Sequence, residues 1–323
     1  MVVENEFEHS ETAPMEVLDS MASENERSDL PARVVSARVR LRPRLKEIWR
    51  SRELLLFLIR KELKVKYKGS FLGFIWSMIN PAIVLLVYYV VFKYFLKSAV
   101  PYFALYLFSG LLVWNFFGVS LGGASSAVVR NAGIVKKVSF PREILAISQV
   151  GTSLVFFFFQ FLVLVIFLIG FQYAPAWGYL PLVLGALIDL VIVTSALSIF
   201  LSAVNVYLRD VQHLIDVVLQ AWFWGVPIIY SYNRVYHHAH WLGYFFLADP
   251  ITPIVLSFQR ALYGHVAPLG YSYANGGDGP VLANYPYHFY LLMLGWVFVS
   301  GVVLLLISLL VFGRLEGNFA EEL

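Results

Sequence analysis

Charged residues in this chain are clustered, and long stretches between the clusters carry none. Residues 69–92 are 24 positions free of Asp, Glu, Lys and Arg, residues 98–129 form a second such window, and residues 144–188 a third, 45 long. A hydrocarbon core of about 30 Å needs roughly 20 apolar residues of helix, so the first two windows predict one span each and the third predicts two. The third breaks near Ala174-Pro175-Ala176-Trp177-Gly178, giving one span that ends near Gly170 and another that runs from Tyr179 through Asp189 to about Val206. Residues 217–231 are apolar but too short alone; with the polar turn 211–216 as their start they make a fifth span, and a sixth runs from about His288 to Phe312. The pattern predicts an all-α integral membrane protein with six transmembrane helices in a domain over residues 69–313.

Two segments fall outside this scheme. Residues 51–68 mix Leu54, Leu55, Phe57, Leu58, Ile59 and Leu63 with Arg60, Lys61, Lys64, Lys66 and Lys68, the composition of an amphipathic helix lying along a membrane face with its bases toward the headgroups. Residues 249–264 begin with Asp249 as N-cap and Pro250 at the first helical position, and Gly264 stops them. A helix of about 14 residues is ~21 Å long, too short to cross. Since it joins two loops on the same side, it is expected to be re-entrant or interfacial. Trp241, Tyr244, Phe245 and Phe246 precede it, and Trp and Tyr favour the water–lipid boundary, so the whole region 232–264 is expected to form two short helices that dip back and gate an exit.

Composition agrees with the pattern: 59% of the 323 residues are hydrophobic and 14% charged, against about 25% charged in soluble domains. An ordinary soluble enzyme and a disordered scaffold are both excluded. The absence of cysteine removes disulfides, thiolate metal sites and cysteine nucleophiles. No secretory signal is expected, because the first apolar stretch begins after residue 50. Residues 1–30 hold nine acids against Arg27, and residues 31–50 hold seven bases against Glu47. Residues 1–50 therefore read as a tail, disordered at least to residue 30. Its basic part faces lipid headgroups rather than nucleic acid. With both termini in the cytoplasm, segments 1–70, 130–142, 207–213 and 313–323 hold 20 of the 24 Lys and Arg residues. This bias sets the orientation and makes 314–323 a cytoplasmic tail.

Several chemistries are missing or weakly signalled. There is no phosphate-cradling G-x-x-x-x-G-K-[ST] loop, no H-E-x-x-H and no D-x-D pair, so the chain itself holds no nucleotide in the P-loop manner. The single G-x-S-x-G, Gly118 to Gly122, lies inside the second apolar window, where small residues serve helix packing rather than a nucleophile elbow. His237, His238 and His240 form the one cluster with metal-ligand character, but an interfacial loop of His, Tyr and Trp is the ordinary explanation, since no outward carboxylate lies closer than Asp249. Asp189 is the one acid deep in a span.

Four segments resemble the permease subunits of type-2 ABC exporters for surface polysaccharides of the O-antigen, teichoic acid, capsule or mycobacterial galactan kind. They are Tyr67-Lys68-Gly69-Ser70-Phe71-Leu72-Gly73-Phe74-Ile75-Trp76 with Asn80-Pro81; residues 131–143, read Asn131-Ala132-Gly133-Ile134-Val135-Lys136-Lys137-Val138-Ser139-Phe140-Pro141-Arg142-Glu143; Asn205-Val206-Tyr207-Leu208-Arg209-Asp210 leading into Pro227-Ile228-Ile229-Tyr230; and Asp249-Pro250 through Arg260-Ala261-Leu262. Together they span roughly residues 52–313, with nothing carried over to 1–50.

The resemblance implies a transporter subunit rather than an enzyme. It would sit in the bacterial inner membrane as a homodimer with two copies of a separate ABC ATPase that holds ATP and Mg, while this chain carries no cofactor. The cargo would be a lipid-linked polysaccharide moved from the cytoplasmic to the outer face. It also implies that 130–142 is the coupling loop that receives force from the ATPase, through Asn131, Ile134, Lys136, Lys137, Phe140, Pro141 and Arg142 with Arg209 and Asp210, and with Phe140 as buried anchor. Arg60, Lys61 and Lys64 belong to the interface helix. Tyr88, Phe92, Trp222 and Trp224 are candidates for an aromatic conduit, rings that stack on sugar faces, and Trp241, Tyr244, Asp249 and Pro250 for the external gate. The alternatives are a type-2 ABC exporter of drugs or lipids, a membrane-embedded glycosyltransferase or polymerase, and an ATP-independent flippase.

Overall fold

The computed structural model describes residues 41–95, 102–238, 240–264, 282 and 285–323, and the residues described are helices and the turns that join them. Helix α1, Leu41–Arg50, is joined at Ser51 to α2, Arg52–Lys66. The Ser51 amide and hydroxyl both donate to the Glu47 carbonyl at 3.0 Å. Among the described residues, helix is thus already present ten residues before the segment expected from the sequence. Acidic residues 1–30 lie outside the described residues.

Glycine decides how α2 hands over to the first long helix. Gly69 and Gly73 have φ of 79° and 49°, left-handed values that a side chain resists. The chain therefore turns where an unbroken span from residue 69 was expected. A 3-10 turn, Gly73–Ile75, leads into α3, Trp76–Val90, which continues as a π-helical turn, Val91–Phe95. The span is shifted along the chain, since it starts after the glycine turn and runs past Lys93.

Next come α4, Phe103–Ser125; two single-turn helices, α5, Ala127–Arg130, and α6, Ala132–Val135; and α7, Glu143–Gly170. A 3-10 turn, Trp177–Tyr179, opens α8, Leu180–Tyr207, at the expected Pro175–Gly178 break. Helix α4 is enclosed by α7, α8 and the later helices, and its residues 104–113 are all buried.

The fifth expected span is shorter than the apolar pattern suggested. Helix α9, Val211–Gly225, has 15 residues, about 22 Å at 1.5 Å per residue. It stops because Pro227 disfavours helical backbone in the residue before it; Val226 is extended, with φ −102° and ψ 133°. Three short helices follow: α10, Tyr232–His238; α11, His240–Ala248; and α12, Ile251–Tyr263. The last pair bends by 98°. Helix α13, Tyr287–Leu315, a 3-10 turn, Glu316–Asn318, and α14, Phe319–Glu322, close the chain. Among the described residues five helices are long and apolar enough to cross a membrane, with a sixth crossing only if the bent pair α11–α12 counts as one span.

Two apolar clusters hold the bundle. The larger gathers α4, α7, α8, α12 and α13 around Leu112, Phe117, Phe157, Leu190, Phe258 and Val297. The smaller sits at the end rich in lysine and arginine, the basic end, and joins Leu58, Val128, Val135, Ile144, Ala203, Val206, Phe312 and Phe319. Residues 314–323, expected as a tail, fold back into this cluster. Phe319 is buried with its ring 5.4 Å from that of Phe312, and the Tyr207 hydroxyl donates to the Leu315 carbonyl at 2.7 Å.

Candidate functional site

The segment 130–142 is two single turns followed by a turn and irregular chain rather than one helix, because Gly133 and the run up to Pro141 give little helical support. Val135 is buried in the small cluster, while Ile134 and Val138 are exposed together with Lys136 and Lys137. Phe140 is half-buried against this chain's own cluster, so the aromatic ring is already occupied and the apolar side chains left free are Ile134 and Val138. Asn131 ties the segment inward: its amide donates to the Ala127 carbonyl at 2.8 Å, and its carbonyl oxygen accepts from Lys61 Nζ at 3.3 Å. Lys61 thus links α2 to the loop. Arg60, Lys64 and Lys68 line an open groove along α2 together with Phe57 and Val65. Arg209 and Asp210 are exposed in the turn between α8 and α9, where Asn205 Oδ1 accepts from the Gln212 amide at 3.2 Å.

Just behind the loop lies a charge network that sequence reasoning missed. Glu143, the first residue of α7, is fully buried, and its Oε1 accepts from Arg44 Nε on α1. Arg44 also donates through Nη2 to Glu316 Oε2, so one guanidinium joins the start of α7 to the end of α13. Arg142 donates to the Glu316 carbonyl at 2.8 Å and lies 3.7 Å from its carboxylate. Burial works against the charge on Arg44, but its bonds and attraction to Glu143 and Glu316 outweigh that and lift its pKa above the ordinary value. The one signal in the sequence was Arg142-Glu143 at a span's start; that Arg44 and Glu316 complete it depends on contacts 99 and 272 positions apart.

At the opposite end the predicted gate and conduit residues meet. Asp249 Oδ2 accepts from the Thr252 amide at 3.1 Å and its hydroxyl at 2.9 Å, capping α12. The other oxygen, Oδ1, accepts from Trp222 Nε1 on α9 at 3.1 Å. Pro250 starts the helix, which is buried from Ile251 through Gln259. Helix α12 therefore inserts among α4 and α8. The Tyr173 hydroxyl holds its far end by donating to the Tyr263 carbonyl at 2.6 Å. Trp241, Tyr244 and Phe245 project outward from α11, and Trp224 from α9. His240 donates through Nδ1 to the Tyr236 carbonyl at 2.9 Å; the side chains of His237 and His238 lie outside the described residues. Asp189 is buried in α8, and no cation lies within ion-pair distance of it among the described residues.

Tyr88, Phe92 and Trp222 are all partly buried against the larger cluster. Phe92 packs 4.2 Å from Phe103, and Tyr88 lines a cavity of about 560 Å³ between α3, α4 and α7. Asn80, Asn115, Gln160, Ser77 and Ser153 also line it, with Asn115 donating to Gln160 at 3.2 Å. Lys66 stands at the same cavity with its ammonium 4.0 Å over the Phe156 ring, and desolvation lowers its pKa from the ordinary lysine value. These amides are scattered singly through apolar windows, which is why the sequence did not expose them as a set.

Comparison with known proteins fits this architecture. The chain is 32% identical over 224 residues to an O-antigen export system permease protein RfbA of Myxococcus xanthus, covering 69% of this chain and 85% of that one. It is 28% identical over 275 residues to the RfbA permease of Klebsiella pneumoniae, covering 84% of this chain and 95% of that one. The matched residues of the family, 53–263, run from α2 to the end of α12. With its all-helical bundle of apolar spans, this multi-pass membrane chain belongs to the ABC-2 type transporter family.

Proposed function

We propose that this chain is the membrane subunit of an ATP-driven exporter of a lipid-linked polysaccharide, passing it from the cytoplasmic to the outer face of the bacterial inner membrane. The observation that carries the reading is the near end-to-end match to a permease named for O-antigen export, over 84% of this chain and 95% of that one. Two copies would form the passage, each served by one copy of an ATPase that holds the ATP and Mg. The basic end faces the cytoplasm, as the lysine and arginine bias favours, and α10–α12 face outward.

In this reading the ATPase docks on 130–142. Ile134 and Val138 supply the apolar contact, Lys136 and Lys137 pair with acids on its rim, and Arg209 and Asp210 flank the site. Phe140 and Pro141 stand between that contact and α7, so displacement of the loop is passed through Phe140 to the small cluster and through Glu143 to the span. Tyr88, Phe92, Trp222 and Trp224 offer ring faces to sugar units. Asp249 and Pro250 set the angle of the external gate, with Trp241 and Tyr244 at the headgroups. Because Asp249 holds both α12 and Trp222, gate and wall would move as one piece.

The test depletes the chain in its host and follows lipid-linked glycan on each membrane face. Depletion should retain the glycan inside, and co-purification from native membranes should bring down an ATPase. Normal surface glycan after depletion, or an ATPase bound equally well by an Ile134→Ala/Val138→Ala variant, would overturn the corresponding half of the proposal.

A further inference from the structure

The charge network beside the loop encloses a cavity of about 370 Å³ lined by Arg44, Glu47, Ser51, Ser139, Phe140, Pro141, Glu143 and Glu316. Three carboxylates face one guanidinium there, and Arg142 reaches Glu316 from the side. Glu143 is fully buried, yet its Oε2 has no hydrogen-bond donor among the described residues. Glu47 is exposed at the mouth and has no ion-pair partner among the described residues. A buried carboxylate oxygen without a donor is costly in a water-poor site, so the cavity is short of one hydrogen-bond donor. The surface around it has the opposite character: Lys46, Arg50, Arg52, Lys136 and Lys137 are all exposed. An acidic recess in a basic face is where a partner's own positive side chain is drawn, and a planar guanidinium can bond two carboxylates at once.

We propose that this recess receives an arginine side chain of the ATPase partner. The inference rests on the docking of that ATPase at 130–142 and adds a second, oppositely charged contact to it. Ser139, Phe140 and Pro141 belong to both surfaces, so insertion of the arginine would brace the loop against α1 and the start of α7. Whereas Lys136 and Lys137 seek acids on the partner, the recess seeks a base. The two contacts together fix the orientation of docking, since neither charge pattern fits if the partner is turned around.

The experiment uses the full permease–ATPase complex in lipid nanodiscs and measures ATPase affinity at low and moderate salt. Glu47→Arg should weaken binding by about tenfold or more, Glu47→Gln by less, and both should remain folded because Glu47 holds no side-chain partner. Since the chain has no cysteine, Ser139→Cys offers a single thiol for short-range cross-linking, expected to capture an arginine-bearing segment of the ATPase. Changing that arginine to Glu should restore binding to Glu47→Arg. Unchanged affinity for Glu47→Arg, or a cross-link from Ser139→Cys to residues 31–40 of the same chain, would overturn the inference. Loss of binding in Ile134→Ala/Val138→Ala with none in the Glu47 variants would leave loop docking standing and remove the arginine recess alone. No loss in either would remove both.

Discussion

Two acidic residues carry most of what single side chains decide here, Glu143 through one buried ion pair and Asp249 through three hydrogen bonds. Glu143 is an ion buried at the head of a span, held by Arg44. Removing one member of a buried pair strands the other, at a typical cost of about 3–5 kcal/mol. Arg44→Ala should therefore lower the melting temperature of the purified protein markedly, and adding Glu143→Gln should recover part of that loss. A melting curve for Arg44→Ala that matches the parent would show the pair to be dispensable. Asp249 caps α12 and holds Trp222. Asp249→Ala should cost about 1–2 kcal/mol from the cap alone and shift the emission of Trp222, whereas Asp249→Asn keeps an acceptor and should stay closer to the parent in both. Equal behaviour of the two variants would argue against a capping role. The sequence named Asp249 from its place before Pro250, but Glu143 was quoted only as the end of a string, because nothing local reveals that a charge is buried.

Among the helices, α12 packs closely against α4. A Cβ added at Gly110 would lie 3.0 Å from Gln259 Nε2, 3.2 Å from Ile228 Cγ2 and 3.4 Å from Val255 Cγ1, closer than packed side chains tolerate without shifting. Gly110→Leu should overpack this contact, at roughly 1–3 kcal/mol, and lever α12 out of the bundle. In that background Ser257→Cys, which replaces a fully buried side chain, should become reactive to maleimide; continued protection would mean that α12 has another anchor. The existence, direction and length of this short helix were legible from Asp249, Pro250 and Gly264. The further short helix α10 was not singled out, although Ser231 before it is an N-cap residue type. The early end of α9 was legible in principle, because Pro227 marks it, yet the apolar run to Ser231 concealed it.

For the molecule as a whole, the basic end is a joint of α1, α2, α7, α13 and α14 around one small core. Deletion of residues 1–38 leaves every described member of that joint in place and serves as the reference. Deletion through Arg50 removes Arg44 and exposes Glu143, Leu58 and Phe140. It should lower the melting temperature by an amount comparable to Arg44→Ala or more, read by the same thermal scan. Equal stability of the two truncations would make α1 an appendage rather than part of the joint.

The sequence by itself determined the class of the protein, the four longest apolar helices α4, α7, α8 and α13, and the two ends of α12. Those follow from windows of uncharged residues and from proline and glycine, properties of neighbours along the chain. Only the tertiary structure decided that Arg44, Glu143 and Glu316 form one network, that Trp222 and Asp249 are bonded, and that Asn80, Asn115 and Gln160 share a cavity with Tyr88. Each of these joins residues from different helices. A helix's own periodicity sets which side chains share its face, but the partner of that face is chosen by packing across the bundle, on which hydropathy along the chain is silent.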